Sequence, residues 1–200
     1  MSRPDVFNIQ GSTVWATQEI VKYLKPVLEG SERDIDKIQT VERHIGRFDK
    51  PEDVKRWLSN RDGSVRITAL RVTEYENTAG SLFGKVNFVA YVFTTDQYGY
   101  AKDQRCEVVA GQLVQAIMQR GALPTARSNV EAVRSDNLYS GSIDQLGVAI
   151  WAVTWSQWWP MDEPLDPSSL DDFITFSFEG DVGDGSPPIE GEVTLPQDDS

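Results

Sequence analysis

Lysine and arginine are missing from the last 66 residues of this 200-residue chain, and the chain has one cysteine and one histidine. A single cysteine, Cys106, excludes an intramolecular disulfide framework. One histidine, His44, with no second cysteine excludes a zinc site of the usual Cys/His type. No run approaches the roughly 18 apolar residues of a membrane-spanning helix, and Met1-Ser-Arg-Pro-Asp5 has no apolar stretch of signal-peptide type. These scarcities predict a protein made and used in a reducing cytoplasm, or carried in a particle assembled there.

What is present is a one-sided distribution of charge. All nineteen basic residues lie in residues 1–134, against seventeen acidic ones, while fourteen carboxylates follow: Asp136, Asp144 and twelve more from Asp162 onward. The net charge of −12 therefore belongs to the C-terminal third. Such a segment repels nucleic acid and acidic membranes. It is nevertheless interrupted by Phe173, Ile174, Phe176, Phe178, Val193 and Leu195, which solvated acidic tails seldom carry, so it reads as an arm that docks on protein.

Hydrophobic periodicity divides the rest. Thr17, Ile20, Val21, Leu24, Val27 and Leu28 fall on one helical face after a hydroxyl start at Gly11-Ser12-Thr13, and Pro26 should bend or shorten the last turn. Ile38 to Ile45 predicts a short strand, and Pro51 to Leu58 a two-turn helix anchored by Val54, Trp57 and Leu58. From Val65 the period becomes two. Val65, Ile67 and Ala69 share a face, then Leu70 and Val72 take the opposite phase, as a bulge requires. A partner strand at Val86 to Thr95 completes a hairpin, with a long tip through Asn77-Thr-Ala-Gly80 and Gly84. Residues 101–120 carry a helical stripe of Cys106, Val109, Ala110, Leu113 and Ile117, and Asn129 to Tyr139 reads as a strand. After the turn at Ser140-Gly141, Gly147 to Trp155 is apolar on both faces, as in a central strand covered on each side. From Pro160 on, the chain holds six of its ten prolines and two short β-like runs, Phe173 to Phe178 and Glu192 to Leu195. The expectation is an α+β domain over residues 1–160, a mostly antiparallel or mixed sheet flanked by helices, followed by an extended acidic Pro/Gly-rich arm over 161–200.

No catalytic, cofactor or metal constellation emerges. A Cys106/His44 nucleophilic pair is the one conceivable reactive centre, but Cys106 lies in the apolar stripe of a helix, where an inert thiol is the usual occupant. Asp181-Val-Gly-Asp184-Gly-Ser186 lacks the alternating ligands and terminal glutamate of a calcium loop and reads as an acidic turn. Trp158 and Trp159 stand on opposite faces at the end of a strand beside Pro160, so at least one should lie near the surface or beneath the arm. With Phe173, Ile174, Phe176 and Phe178 they are the candidate subunit or arm contacts.

Taken in order, these segments form a pattern: an N-terminal helix, Trp57-Leu58, a hairpin ending Val86-Asn-Phe-Val-Ala-Tyr-Val-Phe93, the helix of 101–120, Val133-Arg-Ser-Asp-Asn-Leu-Tyr139, and the strand from Gly147 to Gln157. Leu170-Asp-Asp-Phe-Ile-Thr-Phe176 and Gly191-Glu-Val-Thr-Leu195 follow. Over roughly residues 12–196 this order resembles the tail terminator (tail-completion) proteins of long-tailed bacteriophages, particularly the Mu-like branch. The resemblance rests on the order and phrasing of hydrophobic segments, since the family has no reactive centre to match. It implies a non-enzymatic α/β domain that forms a hexameric ring, caps the head-proximal end of the tail tube and joins the tail to the head connector in the virion. The implied partners are other copies of the chain, the tail tube protein, the connector or neck protein and the tail sheath, with DNA passing through unbound by specific contacts.

Three other readings compete. One is another tail or neck ring protein: a tube, baseplate or head–tail connector subunit. A second is a small hydrolase or nuclease using carboxylates, which would have to converge on a pocket, whereas the acids here crowd a proline-rich segment. The third is a cytosolic binding module with no phage role.

Overall fold

Helix α1, Thr13–Leu28, opens where the Ser12 hydroxyl accepts a hydrogen bond from the Trp15 amide, the N-cap the sequence anticipates. This computed structural model describes residues 7–31, 33–46, 48, 63–119, 121–163, 175–180 and 189–194. The helix expected over 51–58, with Trp57 and Leu58, lies outside the described residues, as do Phe173 and Ile174. The chain divides into two compact units, Met1–Pro164 and Leu165–Ser200.

Within the first unit the elements after α1 are β1 (Thr40–Arg43), β2 (Gly63–Thr78), β3 (Ser81–Thr94), α2 (Lys102–Met118), β4 (Glu131–Asn137), a one-turn α3 (Gly141–Asp144) and β5 (Ala149–Pro160). The five strands form one sheet in the order β1-β2-β3-β5-β4. β1 is parallel to β2 and every other pairing is antiparallel, which makes the fold α+β with a mixed sheet.

α1 and α2 cover one face. Ile20, Leu24 and Leu28 from α1 and Cys106, Val109, Leu113 and Ile117 from α2 meet Val65, Ile67, Val86, Phe88, Val92, Val153, Trp155 and Trp159 in one buried cluster. Each large side chain so buried is worth about 1.5–3 kcal/mol before ordering costs. That packing explains why Pro26 does not shorten α1. The proline removes a single ladder bond in the last turn, Glu29 still donates to the Lys25 carbonyl at 2.9 Å, and fully buried Leu24 and Leu28 hold the turn down. Tyr23 ties the helices together by donating to the Ala116 carbonyl at 3.0 Å.

The opposite face is covered over part of its length. Val89, Tyr91 and Phe93 of β3 and Val148, Ile150 and Ala152 about β5 pack with Ile143 of α3, flanked by Phe48, Leu70 and Leu146. The Ser140–Gly141 region is not a simple turn, because Ser140 caps α3 through the Ile143 amide. The bulge read at Leu70 is present. Ala69 pairs with Phe88 and Arg71 with Asn87, so Leu70 is the extra residue, and Val72 resumes contact with the helix-side core.

The hairpin differs from its expected form. Apart from register shifts at Leu70 and Thr73, β2 and β3 pair out to Thr78 and Ser81, and the tip is the two-residue turn Ala79-Gly80, with φ of 53° and 83°. Positive φ at both central positions is the mirror-image turn that matches strand twist, normally written Asn-Gly or Asp-Gly, so alanine hid it in the sequence.

Next to the hairpin's outer end, Gly11 has φ of 66°, and a Cβ there would lie 2.8 Å from the Asp162 carbonyl carbon. Asp162 accepts from the Leu82 amide at 2.8 Å, Met161 donates to the Leu82 carbonyl at 2.8 Å, and Asn8 donates to the Glu163 carboxylate at 3.0 Å. The approach to α1 and the chain leaving β5 are therefore pinned to one spot.

In the second unit β6 (Thr175–Gly180) and β7 (Ile189–Thr194) form an antiparallel pair, with Phe176 opposite Val193 and Phe178 opposite Gly191. These correspond to the two β-like runs of the acidic segment.

The turn yields a direct expectation. Asn tolerates left-handed backbone better than alanine does, so Ala79→Asn should raise stability by up to about 1 kcal/mol in urea unfolding without altering the sheet.

Candidate functional site

Trp158 and Trp159, the first two candidate contacts, occupy opposite faces of β5 as the alternation requires. Trp159 is wholly buried among the helix-side residues, edge-on to Trp15 with ring centroids 5.9 Å apart and near Phe88 at 6.1 Å. Its indole N–H donates to Gln157 Oε1 at 3.2 Å, and the Gln157 amide donates to the Ser128 carbonyl at 2.8 Å, so these two buried polar side chains are partnered. Trp158 is half-buried on the other face, with the Lys85 ammonium 6.0 Å from its ring centroid. Phe176 and Phe178 lie on β6, in the second unit.

The two residues of the conceivable nucleophilic pair are kept apart by the sheet. Cys106 belongs to the helix-side cluster, where its thiol donates to the Val92 carbonyl at 3.3 Å. Burial pushes that thiol up from its ordinary 9.0 to about 12. The His44 ring stacks on Phe48 at 4.2 Å, and Phe48 packs edge-on against Tyr91 and Phe93 on the far face. A neutral, buried thiol with no imidazole on its side of the sheet is not an activated nucleophile. Among the described residues, no three His, Cys, Asp or Glu side chains converge to hold a metal ion.

Arg105 is the charged group sunk deepest beside the core, 4% exposed. It donates from Nε to the Ile35 carbonyl at 2.9 Å and from its terminal nitrogens to Thr95 at 2.7 Å and Lys37 at 3.4 Å, which joins α2 to the loop before β1 and to the end of β3. Beside it, Ile35, Tyr100 and Val108 line a small hollow. Nearby, Lys102 donates to Asp144 at 2.8 Å, and that bond raises the lysine above its ordinary value and fastens α3 to the start of α2.

The feature that sequence reasoning missed is an open groove of about 500 Å3 on the partly covered face, lined by Leu70, Arg71, Asn87, Arg134, Thr154 and Ser156 among others. Register creates it. Arg71 pairs with Asn87 and Asn87 with Ser156, a direct row across β2, β3 and β5, and Arg134 of β4 stands opposite Thr154. Paired residues project to the same face. The two arginines are exposed and make no ion pair among the described residues. Neighbouring Lys85 is already engaged by Glu131 at 3.0 Å and Glu74 at 4.0 Å. Only the bulge at Leu70, which puts Arg71 in phase with Asn87, could have hinted at the row.

No family model matches the chain, and no curated protein matches it. Among solved structures it is similar to the sheath/tube terminator of an extracellular contractile injection system, PVC, in the extended state, at 15% identity and a TM-score of 0.29. The match covers 80% of this chain and 60% of that one, so this chain spans less than two thirds of the length of the protein it matches. A TM-score that low carries neither fold nor function across.

Two expectations follow from the buried groups. Native protein should resist iodoacetamide at pH 8 and react at Cys106 once unfolded in guanidinium. Because the folded state holds the thiol proton more tightly, this group's contribution to stability is intact below pH 9 and is lost as pH rises toward 12, by roughly 1.4 kcal/mol per unit. Cys106→Ala should flatten that part of the alkaline stability profile. Arg105→Met, which strands three carbonyls, should cost roughly 2–4 kcal/mol in denaturant unfolding, with Arg105→Lys recovering only part.

Proposed function

We propose that this chain is a structural subunit of a phage-type tail: a tail terminator that forms a hexameric ring at the head-proximal end of the tail tube, stops its polymerisation and joins the tail to the head connector. The observation that carries the reading is the order of segments over residues 12–196, helix, hairpin, long helix, strand and two-faced apolar strand, with the acidic segment after them. This is the order on which the resemblance to the terminator family turns.

The geometry supports a ring subunit in a second way. A heterologous contact that closes into a ring needs two different surfaces on each copy. The body offers β4, the edge strand next to β5, exposed along nearly its whole length, and at the other side of the sheet the outer end of the hairpin, where residues 73–80 are exposed. The opposite edge strand is blunted, because the Glu29 carboxylate accepts from the Val41 amide at 2.6 Å. With a net charge of −12 the chain is also suited to line a passage for DNA without holding it. In this reading the partners are the tube protein, the connector or neck protein and the sheath, the location is the neck end of the virion tail, and the protein performs no catalytic turnover.

The reading is tested in the particle. Electron microscopy of assembled tails should find six copies in one ring at the end of the tube, and particles made without the protein should have overlong tubes or tails that fail to join heads. A stack of many rings would instead make it a tube protein. Normal tails and normal joining in its absence would overturn the assignment.

A further inference from the structure

We propose that the groove across β2, β3, β5 and β4 is the receptor for the acidic segment, residues 165–200, of a second copy of this chain. The inference rests on the ring role in one respect, that copies meet side by side.

Charge and spacing select the occupant. Two exposed arginines without an ion-pair partner among the described residues, Arg71 and Arg134, flank neutral hydrogen-bonding side chains, Asn87, Ser156 and Thr154; the row from Arg71 through Asn87 and Ser156 ends on Glu131, which Lys85 engages at 3.0 Å, and Arg134 stands in the next row, opposite Thr154. Asp136, two residues further along β4, borders the row. Residues 165–200 contain ten carboxylates and no lysine or arginine, so nothing in that segment competes with the arginines for its acids. Arginine grips a carboxylate through two parallel N–H bonds, which suits an open, partly desolvated trough better than a lysine would. Three strand spacings and a two-residue offset along the strands separate Arg71 from Arg134, about 16 Å at the backbone, and about five residues of extended chain at roughly 3.3 Å each cover that distance. Asp166 and Asp171 are five residues apart. Leu70, in the groove's lining, gives the apolar residues among the acids a surface to lie on.

The second copy is favoured over the same copy by where the chain leaves the body. Met161 packs against the helix-side cluster and Asp162 is held beside Gly11 at the start of α1, so after β5 the chain turns to the helix-covered side of its own body. The groove opens on the other face.

The test uses the full chain. Arg71→Lys/Arg134→Lys keeps the charge and supplies amines that a carbodiimide can couple to a touching carboxylate. Mixed nitrogen-15 and nitrogen-14 protein should then give peptides joining position 71 or 134 of one isotope to an acid within 165–200 of the other. Arg71→Glu/Arg134→Glu should fold with an unchanged circular dichroism spectrum, since both side chains are exposed, and should self-associate at least roughly tenfold more weakly by sedimentation, with a smaller salt dependence. Cross-links confined to one isotope, cross-links to other segments, none at all, a chain monomeric throughout, or unchanged association of the double glutamate variant would each overturn the proposal. Closed six-copy rings built by the double glutamate variant would sink this contact and leave the terminator reading standing. Inter-copy cross-links in assemblies that are not rings would do the reverse.

Discussion

A β-sheet has two faces to dry, and among the described residues this chain devotes two full helices to one of them and a single short turn of helix to the other. Everything else follows from that imbalance. α1 and α2 seal the first face with aliphatic side chains, and Trp15 of α1 meets Trp159 of β5, so β3 and β5 there are almost wholly apolar, buried Gln157 excepted. On the second face apolar residues persist only as far as α3, Leu146 and Phe48 reach, after which asparagine, threonine, serine and arginine take over on the same strands. The switch along β5 from Ile150 and Ala152 to Thr154 and Ser156 marks the boundary between a face the monomer covers itself and one it leaves open.

Much of the architecture was legible because the side-chain periods are strong. The α1 and α2 stripes, the two-faced character of β5 and the phase change at Leu70 each rest on five or more residues agreeing. Features that rest on one or two residues were not legible. Ala79 adopts a left-handed turn conformation that its own preference does not favour, because the two strands it joins are already held by a long ladder. Pro26 stays inside a helix because two buried leucines outweigh one missing hydrogen bond. The parallel partnership of β1 with β2 leaves no local trace, since its connection runs through residues 44–62. The groove was hidden for a related reason: Arg71 and Arg134 are 63 positions apart and come to one face only through strand pairing and a bulge. The tryptophans gave half of their meaning away. Alternation put Trp158 and Trp159 on opposite faces, but only the tertiary structure shows Trp159 closing the core against Trp15.

The charge asymmetry acquires a structural counterpart. The body keeps most of its basic side chains occupied or scattered, with Arg66 on Glu42, Arg127 on Glu76, Lys102 on Asp144 and Lys85 on Glu131, while Arg105 is consumed internally. Against that background two arginines in one trough, without an ion-pair partner among the described residues, in a chain whose remaining acids are concentrated at one end, form a complementary pair of features within one sequence.

Gly11 and Asp162 place the incoming and outgoing chain side by side, and this decides how the body would carry mechanical load. A pull applied through both ends would act first on the Asn8–Glu163 and Leu82–Asp162 hydrogen bonds and the contact at Gly11, opening them one after another like a clasp. The long β3–β5 ladder would be spared until that clasp gave way, so tension on the acidic segment could be taken up at the rim of the fold while the sheet and its two helices stayed intact.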